Sequence, residues 1–198
     1  MKIDFDGLTP PARLALAYTP TSVRASFALL LRLDARFAKI ASNTKEPLIG
    51  QMKLAWWRDA IICASPARPK GEPLLSSLFE VDDSMLNKVG AALADAWEIL
   101  VAQDDWSAAI IRDFGNARGQ AVFQGYVSLC GLREFSTELA EQWAADDLRL
   151  RFGERVLGLP SSASALPKDR ALRPLTILTM SVREVSGPRL IWHALTGL

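Results

Sequence analysis

Apolar residues recur at steps of three and four along most of this chain, which is the period of an amphipathic α-helix. The clearest row has Val89, Ala92, Leu93, Ala96, Trp97 and Leu100 on one helical face. No segment alternates apolar and polar residues in the way that predicts a half-buried strand. The pattern therefore predicts an all-α protein, a single-domain helical bundle over residues 1–198.

Proline, glycine and capping residues divide this pattern into separate helices. Helices are predicted at about residues 14–18, 23–42, 48–63 and 74–79, then after a cap at Asp82, Asp83 or Ser84 to about residue 100, and at about 106–129, 133–152, 170–183 and 189–195. Three glycines in the sixth of these, Gly115, Gly119 and Gly125, are predicted as weak points or as sites of close packing. Residues 153–167 are rich in glycine, proline and serine and are predicted as a flexible loop within the one domain.

Composition and charge exclude several classes of function. The chain has 23 basic and 22 acidic side chains, a net charge of +1, and no basic stripe interleaved with aromatic residues, which argues against nucleic acid as a partner. No uncharged run is long enough to predict a membrane span. The first seven residues include Asp4 and Asp6 and do not resemble a signal peptide, so the cytoplasm is the expected compartment.

Metal-ligating residues are scarce. The chain has one histidine, His193, and two cysteines, Cys63 and Cys130, with no C-x-x-C spacing. A zinc site needs about four such ligands brought together, so none is predicted. The cysteines lie in apolar helical stretches, where a free thiol usually acts as a small hydrophobic group. No cofactor is predicted.

One segment resembles a known family. Residues 31–61 read LRLDARFAKIASNTKEPLIGQMKLAWWRDAI, with a P-x-x-G break followed by a W-W-R-D run. This resembles the squalene/phytoene synthase family, in particular a divergent branch that includes a mitochondrial complex I assembly factor. Upstream, Arg24 is similar in position to a basic residue of the family's first helix pair. The resemblance implies an isoprenoid (terpenoid) synthase fold, here truncated.

The resemblance also implies which chemistry this chain has lost. Active members of the family carry two D-x-x-x-D motifs, whose carboxylates lie on one helical face and hold Mg²⁺ for the diphosphate leaving group. Aligned with the family, the first motif falls on residues 38–42, where Ala38 and Ser42 replace both aspartates. The helix expected to carry the second motif is missing after the segment around Trp143. The resemblance therefore predicts the loss of prenyltransferase catalysis.

The predicted function is accordingly a binding or assembly protein, with a membrane respiratory complex as one setting. The candidate binding residues are Arg24 and the run Trp56, Trp57, Arg58 and Asp59. Adjacent tryptophans on a helix face different directions, so one is expected in the core and the other at a groove or partner surface. The structural alternative is core packing with an ion pair, together with a cation–π contact from Lys53 to Trp57.

Other interpretations remain open at this point. The functional alternative is a protein that binds an isoprenoid or prenyl diphosphate, or a weakly active prenyltransferase; a further one is a structural subunit with a filled centre. Arg24 is either a surface or structural arginine or a relic of diphosphate recognition. Glu138, Gln142 and Asp146 form a solvated helix face or line a remnant cavity. The segment 172–198 packs on the bundle or makes a peripheral membrane contact.

Overall fold

Local sequence signals determine where each helix begins. The computed structural model describes residues 5, 7–64, 67–153, 156, 165–183 and 187–196. Within these residues the chain is helical and has no strand, which confirms the predicted all-α class. The helices are α1 (Pro10–Ala17), α2 (Thr21–Asn43), α3 (Pro47–Ile62), α4 (Pro73–Val81), α5 (Ser84–Val101), α6 (Ala108–Leu129), α7 (Thr137–Phe152), α8 (Arg173–Val182) and α9 (Gly187–Thr196).

Caps and prolines account for these starting points. Asp83 precedes α5, and its carboxylate accepts hydrogen bonds from the backbone N–H groups of Met85 and Leu86 at 2.8 and 3.1 Å. Proline stands in the first turn of α1, α3, α4 and α8, where its missing N–H costs nothing. The predicted helix at 133–152 begins later, at Thr137, because the hydroxyl of Ser136 caps it.

The core lies between α2, α5, α6 and α7, and α3 covers α5. Aromatic side chains fill it, with ring centroids 4.7 Å apart for Phe27 and Tyr126 and 5.0 Å apart for Trp97 and Phe114. The predicted apolar row of α5 is buried at Leu93, Ala96, Trp97 and Leu100, but Ala92 is exposed. A small alanine at the edge of the row can face solvent at little cost.

Glycine lets α6 approach its neighbours closely. A methyl group at Gly119 would lie 2.3 Å from the carbonyl oxygen of Ala140 in α7, and one at Gly125 would lie 2.7 Å from the side chain of Leu30 in α2. Both distances are shorter than contacts that real side chains make. At Gly119 the obstacle is backbone, so only glycine fits without moving α7, whereas at Gly125 the side chains of Leu30 and Val89 would have to shift. Of the two predicted roles for these glycines, close packing is the one observed.

The C-terminal segment divides into a buried and a half-exposed part. Helix α8 packs against α1 and α7, and nearly all of its residues are buried. Helix α9 buries Leu190, His193 and Ala194 against α8 and exposes Ile191, Trp192 and Leu195. Among the described residues, no helix is long and apolar enough to cross a membrane. The loop predicted at residues 153–167 lies largely outside the described residues.

Candidate functional site

The centre of the bundle holds a network of charged groups. Arg118 of α6 is fully buried and donates from Nε and Nη2 to the carboxylate of Asp34 in α2, at 2.8 and 2.6 Å. Its Nη2 also lies 2.6 Å from Oδ2 of Asp147 in α7. Arg151 donates to that same carboxylate at 2.7 Å. Three helices are thus joined through one guanidinium.

Aromatic groups complete this network. The indole N–H of Trp97 donates to Asp34 at 2.9 Å, and the guanidinium of Arg118 lies 4.4 Å from the ring centroid of Trp143. Burial alone would raise the pKa of Asp34, but the charge and hydrogen bonds of Arg118, with smaller contributions from Arg151 and Trp97, hold that pKa below its ordinary value. Asp34 is therefore a buried, ionised and fully paired carboxylate.

Little space remains beside the network. A cavity of about 40 Å³ borders Asp34, Asp147 and Arg151. Small-molecule sites in proteins usually measure about 300–1,000 Å³, so this cavity holds at most a few water molecules. Ala38 is buried and Ser42 is exposed, and no cluster of three potential metal ligands occurs in the described part of the chain. The described side chains therefore leave little space beside the network at the bundle centre.

Two of the three polar residues predicted to form a solvated helix face are partly or fully buried. Within the stripe Glu138, Gln142 and Asp146, the first is exposed and the second half-buried, but Asp146 is buried. Its carboxylate accepts a hydrogen bond from Arg149 at 2.6 Å. A uniformly solvated face was therefore the wrong prediction at Asp146, because a nearby arginine covers and pairs it.

Arg24 stabilises the connection between α1 and α2. Its Nη2 donates to the carbonyl oxygens of Thr19 and Ala17 at 2.8 and 3.4 Å, and its Nε donates to Thr19 at 3.1 Å. These carbonyls lie at and just beyond the C-terminal end of α1, where backbone acceptors lack helical partners. Trp56 lines a groove between α2 and α3, and Arg24 does not. The structure therefore does not bring Arg24 and Trp56 together in one site.

The two adjacent tryptophans separate into core and surface. Trp57 is 4% exposed and packs edge-on against Phe37, with centroids 5.7 Å apart, whereas Trp56 is 48% exposed. The cation over the ring of Trp57 is Arg36 of α2, at 5.4 Å, rather than the predicted Lys53. Arg36, on the facing helix α2, lies over the ring of Trp57, and Lys53, on the same helix as Trp57, does not.

Arg58 and Asp59 form surface ion pairs. Arg58 donates to Asp95 at 2.9 Å and Glu98 at 3.3 Å, both on α5, and to Asp59 at 3.3 Å. Asp59 is largely exposed and Arg58 is about one-third exposed. Exposed pairs of this kind contribute little stability individually. The pairs of Arg58 with Asp95 and Glu98 link α3 to α5, and neither Arg58 nor Asp59 lines the groove that contains Trp56.

Trp56 belongs to an open groove of about 580 Å³ between α2 and α3, here called the α2–α3 groove. Its walls are one face of each helix, and Trp57 forms part of its floor. The lining residues are Arg36, Lys39, Ile40, Asn43, Thr44, Ile49, Met52, Lys53, Trp56 and Trp57. On α3, Met52 is 64% exposed and Leu48, just beside the groove, is also exposed. An apolar row this exposed on one helix is typical of a binding surface.

The charge of the α2–α3 groove has one sign. Its lining includes Arg36, Lys39 and Lys53 and no acidic residue. Arg36 is paired with Glu72. Lys39 and Lys53 are exposed, and no carboxylate of the described residues lies within ion-pair distance of either. The groove therefore combines apolar walls with two uncompensated cations.

Comparison with known proteins adds no identity. A search of protein-family models, of curated proteins and of solved structures found no match. The resemblance to squalene/phytoene synthases therefore stays a prediction. Sequence reasoning identified Trp56 but not Lys39, Ile40 or Asp34, because their placement depends on how α2 packs against other helices.

Proposed function

We propose that this protein is a non-catalytic binding or assembly protein that docks a partner protein in the α2–α3 groove. The observation that carries the proposal is the exposed row of Ile49, Met52 and Trp56 beside an open groove. Tryptophan, methionine and arginine are enriched where protein interfaces are most strongly bound. A monomer gains nothing from exposing such a row, whereas a partner would remove it from water.

The filled bundle centre supports a role in binding over prenyl transfer. Arg118 occupies the space between the carboxylates of Asp34 and Asp147, and Arg118 and Arg151 together neutralise them. A prenyl chain would have to displace this guanidinium and its aromatic neighbours, since the adjoining cavity measures about 40 Å³. Displacement would leave buried charges unpaired, at a cost of several kcal/mol.

The family resemblance supplies the setting for the proposal. The branch that this sequence resembles includes an assembly factor for a membrane respiratory complex. By analogy, the partner is a subunit or an assembly intermediate of such a complex, and the protein works beside a membrane surface. The exposed Ile191, Trp192 and Leu195 of α9 give a second apolar surface that fits peripheral membrane contact.

The decisive experiment compares partners of three chains in the natural host. Met52→Ala with Trp56→Ala removes two exposed groove side chains, and Leu150→Ala is the matched control because Leu150 is an apolar side chain that is 60% exposed on α7. We expect one or more partners to co-purify with the wild type and the control and to be lost from the groove variant. Identical partner sets for all three chains would contradict the proposal.

A second candidate is binding of an isoprenoid diphosphate in the same groove. The observation in its favour is the pairing of apolar walls with Lys39 and Lys53, which suits an anionic amphiphile. Calorimetric titration with farnesyl diphosphate, with and without Mg²⁺, tests it, and a product assay tests turnover. We expect no condensed product. Saturable binding that Trp56→Ala abolishes would establish this second candidate, and any condensed product would overturn the claim of lost catalysis.

A further inference from the structure

The two walls of the α2–α3 groove have the spacing of surfaces that pack against a helix. The lining residues of α2 are Arg36, Lys39, Ile40, Asn43 and Thr44, which follow steps of three and four. The lining residues of α3 are Ile49, Met52, Lys53, Trp56 and Trp57, with the same steps. Each set is therefore one face of its helix. The open space between these two faces, above Trp57, can hold a third helix.

The exposure of the walls argues against other modes of binding. Small-molecule pockets enclose most of their ligand's surface, but Met52 and Trp56 remain about half or more exposed. Extended peptides usually bind by adding a strand to a sheet edge. The described residues contain no strand, so they offer no such edge. A helix lying in a groove is a recognition mode that would bury both walls.

The charge of the groove selects the kind of helix. Lys39 and Lys53 lie on opposite walls, without a carboxylate within ion-pair distance in the described part of the chain. Asp or Glu at the edges of a docked helix would pair with both lysines, and Lys or Arg there would be repelled. The uncharged Ile40 and Ile49 would contact the helix between those edges.

We infer that the occupant of the α2–α3 groove is an acidic amphipathic helix of a partner protein. This inference rests on the proposed function and specifies its partner. The lining spans eight residue steps on each wall, which is about 12 Å at 1.5 Å per residue. The docked segment therefore has two to three turns, with apolar residues at i, i+3, i+4 and i+7 and acidic residues flanking them.

Selection from a displayed library of helical peptides of about 14 residues, roughly four turns, tests this composition and does not require the partner to be identified. The full-length chain is the target, and enriched peptides are measured by fluorescence anisotropy. Trp56→Ala and Lys53→Glu alter the groove. Leu150→Ala and Lys88→Glu are the matched controls, one apolar and one charged, at exposed positions on other helices. Circular dichroism verifies that all four variants remain folded.

We expect acidic amphipathic sequences to be enriched. Lys53→Glu should weaken their binding about tenfold, since it replaces an attraction with a repulsion. Trp56→Ala should weaken it at least as much, while both controls bind as the wild type does. Enriched peptides that need Trp56 but ignore Lys53→Glu would overturn the acidic helix and leave groove docking standing. The inference would be overturned if no peptide were enriched, or if enriched peptides bound both groove variants as tightly as the wild type. The comparison of partners in the host would then test docking in the groove separately.

Discussion

Arg118 is the residue on which the packing of the bundle centre depends most. Its guanidinium pairs with carboxylates from two other helices and contacts the ring of Trp143. All three charged groups are removed from water. Among the described residues Asp34 has Arg118 as its ion-pair partner, whereas Asp147 also pairs with Arg151. Removing one partner from a buried ion pair typically costs about 3–5 kcal/mol.

Arg118→Met should therefore lower the free energy of unfolding by about 3–5 kcal/mol, because it leaves Asp34 and Asp147 buried without their shared cation. Urea unfolding followed by circular dichroism measures the change. Arg58→Met is the matched control, and its loss should stay below about 1 kcal/mol since its ion pairs are exposed. Equal losses for the two variants would show that the central network contributes no more than a surface pair.

The same variant should also change how stability depends on pH. In the wild type the pKa of Asp34 lies below its ordinary value of 3.8, so its contribution is complete above about pH 4 and is lost as the pH falls through the lowered folded value. Without Arg118, burial raises the pKa of Asp34, and protonation then stabilises the folded state. The stability difference between wild type and Arg118→Met should therefore begin to shrink above pH 4, as Asp34 of the variant is protonated, and should shrink further below about pH 4, as the wild type loses its contribution. A difference that stays constant from neutral pH to about pH 2 would contradict this account.

Sequence reasoning succeeded at residues whose role is local and failed at those whose role is tertiary. The separation of Trp56 and Trp57 follows from the helical step alone. The pairing of Asp34 with Arg118 joins residues 84 positions apart, and periodicity does not reveal which polar residue turns inward. A charged residue within a strongly apolar helical face was the available signal, since Asp34 lies between Leu33 and Phe37 on α2.

At the scale of elements, most helix positions were predictable because caps and prolines act within a few residues. Asp83, Ser107 and Ser136 each accept a backbone hydrogen bond at the start of their helices. How the helices pack was not predictable in the same way. Gly119 allows α6 to touch the backbone of α7, but its sequence context is equally consistent with a weak point in a helix.

Gly119→Ala should force α6 and α7 apart, because the new methyl would lie 2.3 Å from the carbonyl oxygen of Ala140. Overpacking of this kind costs about 1–3 kcal/mol, and a rigid backbone neighbour favours the upper end. Gly187→Ala is the control, since no atom of the described residues lies within 4 Å of the point that its new methyl group would occupy. Thermal unfolding compares them. An unchanged melting temperature for Gly119→Ala would show that the two helices separate without cost.

At the scale of the whole molecule, one contiguous core includes buried residues from every helix from α1 to α9. Unfolding should therefore be a single cooperative transition. Far-UV circular dichroism reports the helices, and tryptophan fluorescence reports the core around Trp97 and Trp143. We expect the two curves to coincide during urea unfolding. Separate midpoints would instead indicate two independently stable parts.

The fold class was predictable from the sequence, and the arrangement that creates the α2–α3 groove was not. Helical periodicity without alternation fixes an all-α chain. The groove needs Lys39 and Ile40 of α2 to face Met52 and Trp56 of α3, which depends on the angle between two helices. That angle follows from packing against α5, and packing is set by side-chain shapes that a linear pattern does not record.

The guanidinium shared by α2, α6 and α7 also limits which substitutions this sequence can accept during evolution. Replacing Arg118 alone leaves Asp34 buried without its cation, and replacing either aspartate alone removes one of the two carboxylates that pair with Arg118. Replacing all three with well-packed apolar residues can be neutral or even favourable. A stepwise change from the charged triad to the apolar one passes through sequences that fold poorly. The three residues should therefore be conserved together: related sequences should keep all three or replace all three.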